Sequence, residues 1–113
     1  MRPMKSRLLV KLDILHDLIL EDRADEVVES ALDYLLSYEK KKLERELAIT
    51  EEQLGAFRDR FQMTDRDFLR LYENAALEDR SEYLEWFALL SLESTFRQRL
   101  ELVANVLEMA AVS

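Results

Sequence analysis

Residues 36–61 read LSYEKKKLERELAITEEQLGAFRDRF, and the spacing of apolar residues within them decides the fold. Leu36, Leu43, Thr50 and Phe57 recur every seven residues, and Lys40, Leu47, Leu54 and Phe61 recur at the second position of the same repeat. Alternating steps of four and three keep these side chains on one stripe of an α-helix, which has about 3.6 residues per turn. Lys41, Lys42, Glu44, Arg45, Glu46, Glu51 and Glu52 fill the remaining faces with charge at salt-bridge spacing. Such a seam has to face another helix. Lys40 and Thr50 weaken it locally. Thr50 followed by Gln53 also has capping-box spacing, so a bend or short break near 48–51 is an alternative to one straight helix.

Upstream, Leu8, Leu12, Leu15 and Ile19 again step by four and three, which predicts a first helix over about 5–21. A competing reading is a short strand from Arg7 to Ile14, because Leu8, Val10, Leu12 and Ile14 also alternate; a strand there would suit a ribbon-helix-helix DNA binder. The helix is the preferred reading. Glu21-Asp22-Arg23-Ala24-Asp25 breaks the apolar pattern, and Asp22 or Asp25 is placed to cap a second helix over about 24–62 that passes through Val28, Leu32, Leu35 and Leu36. Downstream, Thr64 with Asp67 three residues on signals a short third helix, 65–76, carrying Phe68, Leu71, Tyr72 and Ala75. Asp79 with Glu82 signals a last one, 80–110, whose stripe is Trp86, Leu89, Phe96, Leu100, Val103, Leu107 and Ala110. Glu93 interrupts that stripe where a heptad wants an apolar side chain.

Composition agrees with an all-helical chain. Of 113 residues, 49% are hydrophobic and 35% charged, and there is one glycine, Gly55, and one proline, Pro3. Tight turns and phosphate-cradling loops draw on glycine for backbone angles that other residues resist, so one glycine argues against sheets and nucleotide loops together. The expected fold is all-α: long antiparallel helices with coiled-coil-like packing in a single domain, 1–113, forming a dimeric helical bundle. A homodimer or a complex with a different protein is expected, because two long apolar stripes on so short a chain leave surface to cover.

The chemistry-bearing residues are sparse. With no cysteine, disulfides, zinc–thiolate sites and a thiol nucleophile are excluded. His16 is the single histidine, beside the Leu15 and Ile19 stripe, and reads as a packed or surface residue rather than a ligand. Carboxylate pairs such as Glu73 with Asp79, or Glu82 with Glu85, have acid–base or magnesium potential, but with 24 acids such pairs arise by chance. The ExxH spacing of helical di-iron proteins is absent, and no serine sits in a GxSxG context. Neither an enzyme nor a cofactor is expected. The longest uncharged apolar run, Trp86 to Leu92, is far short of a membrane span, and Lys11 and Asp13 interrupt any signal-peptide core, so a cytoplasmic protein without membrane contact is expected.

Charge is uneven. Residues 1–12 hold Arg2, Lys5, Arg7 and Lys11 with no acid, so of a net charge of -8 the remainder carries -12. The basic end is the one place where nucleic-acid contact is conceivable; Lys40-Lys41-Lys42 is surrounded by Glu39, Glu44 and Glu46 and reads as a solvated face. Aromatic residues concentrate at Phe57, Phe61, Phe68, Tyr72, Tyr83, Trp86 and Phe87. Most of these are expected in the core. An exposed partner-binding patch, if drawn from them, comes from the short third helix and the start of the fourth: Phe68, Tyr72, Tyr83, Trp86 and Phe87.

From Tyr34 to Leu92, about half the chain, the pattern resembles small prokaryotic proteins that form the antitoxin half of toxin–antitoxin operons. The residues that carry the likeness are Ala31-Leu32-Asp33-Tyr34-Leu35, the charged run Tyr38 to Glu46, Ala56-Phe57-Arg58-Asp59-Arg60-Phe61-Gln62-Met63-Thr64, Asp67-Phe68, and Tyr83-Leu84-Glu85-Trp86. The resemblance implies binding and neutralising a protein toxin, often a nuclease, with autoregulation through an operator-binding end. Residues 1–22 depart from it, since they carry neither a ribbon-helix-helix nor a helix-turn-helix pattern. Two other classes stay open: a coiled-coil adaptor that forms only a homodimer, and a DNA-binding regulator that uses the basic terminus.

Overall fold

The computed structural model describes residues 3–23 and 25–112, with side chains described as far as Met109. Arg2 of the basic end, Ala24 at the expected start of the second helix and the side chain of Ala110 lie outside them. The described residues form four α-helices and no strand: α1 (Met4–Leu20), α2 (Glu26–Phe61), α3 (Asp65–Glu73) and α4 (Ser81–Val112). The all-α expectation holds, and the strand reading of Arg7 to Ile14 is overturned, because those residues are helical throughout.

Local chemistry sets the helix starts. The Asp25 carboxylate accepts from the backbone N–H groups of Val27 (3.0 Å) and Val28 (3.2 Å), so of the two candidate caps Asp25 is the one that opens α2. Thr64 Oγ1 accepts from the Asp67 N–H at 3.1 Å, as the sequence spacing predicts. Thr50 does not restart a helix. Its hydroxyl donates to the Glu46 carbonyl at 2.8 Å, α2 runs unbroken through 48–51, and the side chain is buried in the seam.

The helix ends are less orthodox. Asp22, Gln62 and Ala75 follow α1, α2 and α3 with φ of 54°, 51° and 52°, in the left-handed region. At each, an amide one residue further on reaches back to a carbonyl of the last turn: Arg23 N–H to Leu18, Met63 N–H to Arg58 and Ala76 N–H to Leu71. This is the Schellman arrangement, normally built on glycine, here made three times without it. The third helix therefore stops at Glu73, three residues short of the expected 76.

The chain divides into two compact units, Met1–Leu36 and Ser37–Ser113. In the first, Leu12, Leu15, His16 and Ile19 of α1 share a concavity of about 340 Å³ with Leu32 of α2, so the predicted α1 stripe does turn toward the opening turns of α2. No described residue from Pro3 to Leu36 is buried.

The second unit holds the core. Phe57 lies against Trp86 and Phe61 against Tyr83, so the C-terminal part of α2 and the N-terminal part of α4 run antiparallel. Leu54, Phe68 and Trp86 are fully buried where α2, α3 and α4 meet, and Leu43 and Thr50 continue the buried line back along the α2 seam. On α4 the stripe residues Leu89, Phe96, Leu100, Val103 and Leu107 are half-buried, and so is Glu93. Each fully buried large apolar side chain contributes about 2–3 kcal/mol.

Candidate functional site

Three helices converge on Trp86. Its indole lies flat on Phe68, with ring centroids 4.0 Å apart and planes 8° from parallel, and stacks on Phe57 and Phe61 at 5.8 and 6.0 Å. Phe57 and Phe61 are one helical turn apart on α2, and Thr64 fixes the start of α3 so that Phe68 faces inward on its first turn. Tyr83 tilts against Phe61 and Phe68, and Tyr72 stacks on Phe87 at 4.8 Å. The Arg80 guanidinium lies over the rings of Phe61 and Tyr83, within cation–π range.

This placement revises the aromatic site read from sequence. Phe68 and Trp86 are 0% exposed and present nothing to a partner: they are the centre of the core. Tyr72, Tyr83 and Phe87 are half-buried, and Tyr72 and Tyr83 line a small pocket against the 75–80 loop. The five residues do come together in space, around one another rather than around a vacant surface.

A polar chain that sequence reading missed runs along the same junction. Trp86 Nε1–H donates to Asp65 Oδ1 at 3.0 Å, Arg58 donates to Asp65 Oδ2 at 2.9 Å, and the other arm of Arg58 donates to Glu51 at 2.6 Å. One aspartate thus satisfies the only indole N–H and ties α3 to both long helices. Glu51 also meets Glu93, the acid that interrupts the α4 stripe. The hydrogen bond between them, with burial second, holds the Glu93 carboxyl above the ordinary glutamate range; the same bond, helped by Arg58, holds Glu51 below it. Arg97, one turn further along α4, also lies 3.6 Å from the Glu93 carboxylate, so the acid at this half-buried position has a base beside it as well as a second acid. The one legible trace of this was the misfit of Glu93 in its stripe.

Asp65 and Glu93 also form part of an open groove of about 710 Å³ between α3 and α4, with Leu69 and Leu90 as its apolar wall and Arg66 and Arg70 among its other residues. Nothing in it has the geometry of a nucleophile and its base. His16 is exposed, 3.7 Å from Asp17, and among the described residues no group of three or more His, Asp or Glu side chains is placed to hold a metal ion. No described helix is long and apolar enough to cross a membrane.

The other unusual surface is apolar. Eighteen large hydrophobic side chains are exposed among the described residues, and eleven of them fall between Met4 and Leu35. On α1 they occupy more than the stripe turned toward α2: Leu9, Val10, Ile14 and Leu20 lie on other sides of the helix and are 46–70% exposed. Val27 and Tyr34, a heptad apart on α2, are more than 70% exposed. A helix that is apolar nearly all round is normally enclosed on all sides.

No family model matches this chain, and no curated protein or solved structure matches it either.

Proposed function

We propose that this chain is a non-enzymatic protein-binding module whose contact surface is the helical hairpin of residues 3–36. The observation that carries the reading is the apolar hairpin. It buries no described residue yet exposes eleven large hydrophobic side chains, far beyond the scattered exposure of an ordinary surface. Val27 and Tyr34, rather than Phe68 and Trp86, are the side chains a partner reaches first.

In its specific form the proposal is that of an antitoxin, which binds and neutralises a basic toxin protein. Two things support it: the resemblance from Tyr34 to Leu92, and a net charge of -8, which steers a basic partner toward the chain. The DNA-regulator alternative is less well supported. Arg7 and Lys11 share a face of α1 one helical turn apart, but Lys5 lies about 160° from Arg7 by helical geometry, so only two of the described bases of this end face one way.

The test is co-purification of the tagged chain with its partner from the native host, followed by calorimetric titration of the purified pair. Val27→Asp with Tyr34→Asp is expected to weaken binding at least tenfold while leaving helical circular dichroism unchanged. For the antitoxin form, co-expression of the chain is expected to restore growth to cells making the neighbouring gene's product. A partner whose affinity ignores both substitutions would refute the hairpin as the contact surface, and absence of growth rescue would refute the antitoxin form.

A further inference from the structure

The α1 face turned away from its Leu8-Leu12-Leu15-Ile19 stripe carries an internal symmetry. Pro3, Arg7, Val10, Ile14, Asp17 and Glu21 step by four, three, four, three and four, so they form a second stripe along the helix. All six are exposed, Val10 at 46% and Ile14 at 56%. The spacing reads the same from either end, with its midpoint at residue 12. About that midpoint apolar Val10 is paired with apolar Ile14 and basic Arg7 with acidic Asp17, while the outermost pair sets Pro3 opposite Glu21.

We propose that α1 pairs with α1 of a second copy of this chain, antiparallel about a two-fold axis at residue 12. In that register Val10 lies against Ile14 of the other copy and Arg7 against its Asp17, and the symmetry makes each contact twice. A parallel pair would set Arg7 on Arg7, Asp17 on Asp17 and Glu21 on Glu21, so the charges on the stripe itself select the antiparallel arrangement. They also select the occupant, since the stripe is complementary to itself. Among the described residues the Asp17 carboxylate is paired with exposed His16 alone, at 3.7 Å, so little is given up on pairing. Lys11 and Asp13 flank the axis on opposite edges and each meets its own copy there, which makes the dimer weak and dependent on concentration. The inference rests on the reading of residues 3–36 as a contact surface and assigns one of its faces; Val27 and Tyr34, on α2, are left for a different protein.

Sedimentation velocity of the full chain over a concentration series tests it with two charge reversals. Arg7→Asp places acids at both 7 and 17, and Asp17→Arg places bases at both. Each alone is expected to weaken self-association about tenfold or more, with helical circular dichroism unchanged. Mixed in equal amounts, the two variants regain opposite charges at both 7–17 contacts, and a heterodimer at least as strong as the wild-type dimer is expected. A defect in folding would not be repaired by mixing. A wild-type chain that stays monomeric throughout, reversals that leave the dimer unaffected, or a mixture that stays monomeric would each overturn the pairing. None of these results bears on Val27 and Tyr34, whose own titration decides the protein-binding reading.

Discussion

Replacing Trp86 by phenylalanine isolates the contribution of the bond that joins α3 to α4. The substitution keeps an aromatic ring stacked on Phe68, Phe57 and Phe61 and removes the indole N–H that donates to Asp65 at 3.0 Å. A hydrogen bond to a charged acceptor is worth about 1.5–3 kcal/mol. Asp65 keeps Arg58, and its side chain is 24% exposed, so water can replace part of the loss and the lower end applies, about 1.5 kcal/mol. The smaller ring leaves roughly 40 Å³ unfilled, which at about 24 cal/mol per Å³ adds about 1 kcal/mol. The expected total is about 2.5 kcal/mol, a large share of the roughly 5–15 kcal/mol that stabilises a domain of this size. At about 4 °C per kcal/mol this lowers Tm by about 10 °C. Urea unfolding followed by circular dichroism at 222 nm is the assay, because the variant has lost the chain's only tryptophan. Asp65→Asn in the same assay, alone and combined with Trp86→Phe, completes a double-mutant cycle in which the two losses are expected to be less than additive. A loss below about 1 kcal/mol for Trp86→Phe, or full additivity, would refute the account of Trp86 as a buried donor to Asp65.

Ala75 closes α3 in a left-handed conformation that costs an L-residue about 1 kcal/mol, so Ala75→Gly is expected to stabilise the chain by about 0.5–1 kcal/mol in the same urea assay; destabilisation would count against the Schellman ending. The Glu51–Glu93 pair makes stability depend on pH. Glu93 is raised, so its contribution is present below the ordinary glutamate range and lost as pH rises through its raised value; Glu51 is lowered, so its contribution is lost as pH falls through its lowered value. The Glu93→Gln amide donates to Glu51 without a proton to lose, so this variant is expected to be the more stable chain near about pH 7 and to lose that advantage by about pH 4. An equal difference at both pH values would show that the two carboxyls do not perturb each other's titration.

The sequence by itself determined the kind of element and most of where each begins. Periodicity places Leu43, Leu47, Leu54 and Phe57 on one stripe because the helical repeat belongs to the chain locally, and Thr64 caps α3 because its partner amide is three residues away. Helix ends were harder to read, since Asp22, Gln62 and Ala75 adopt positive φ without the glycine that normally marks such a stop. What only the tertiary structure decided is how each candidate side chain is used. Phe68 and Trp86 look no different in sequence from Tyr72 or Tyr83, but they lie where three helices meet, and burial depends on neighbours distant in the chain. The bond from Trp86 to Asp65 spans 21 residues, and the raised titration of Glu93 comes first from Glu51 of another helix. Local hydrogen bonding writes secondary structure into sequence; which groups are shielded from water, and which acids shift one another's titration, is settled when the helices pack.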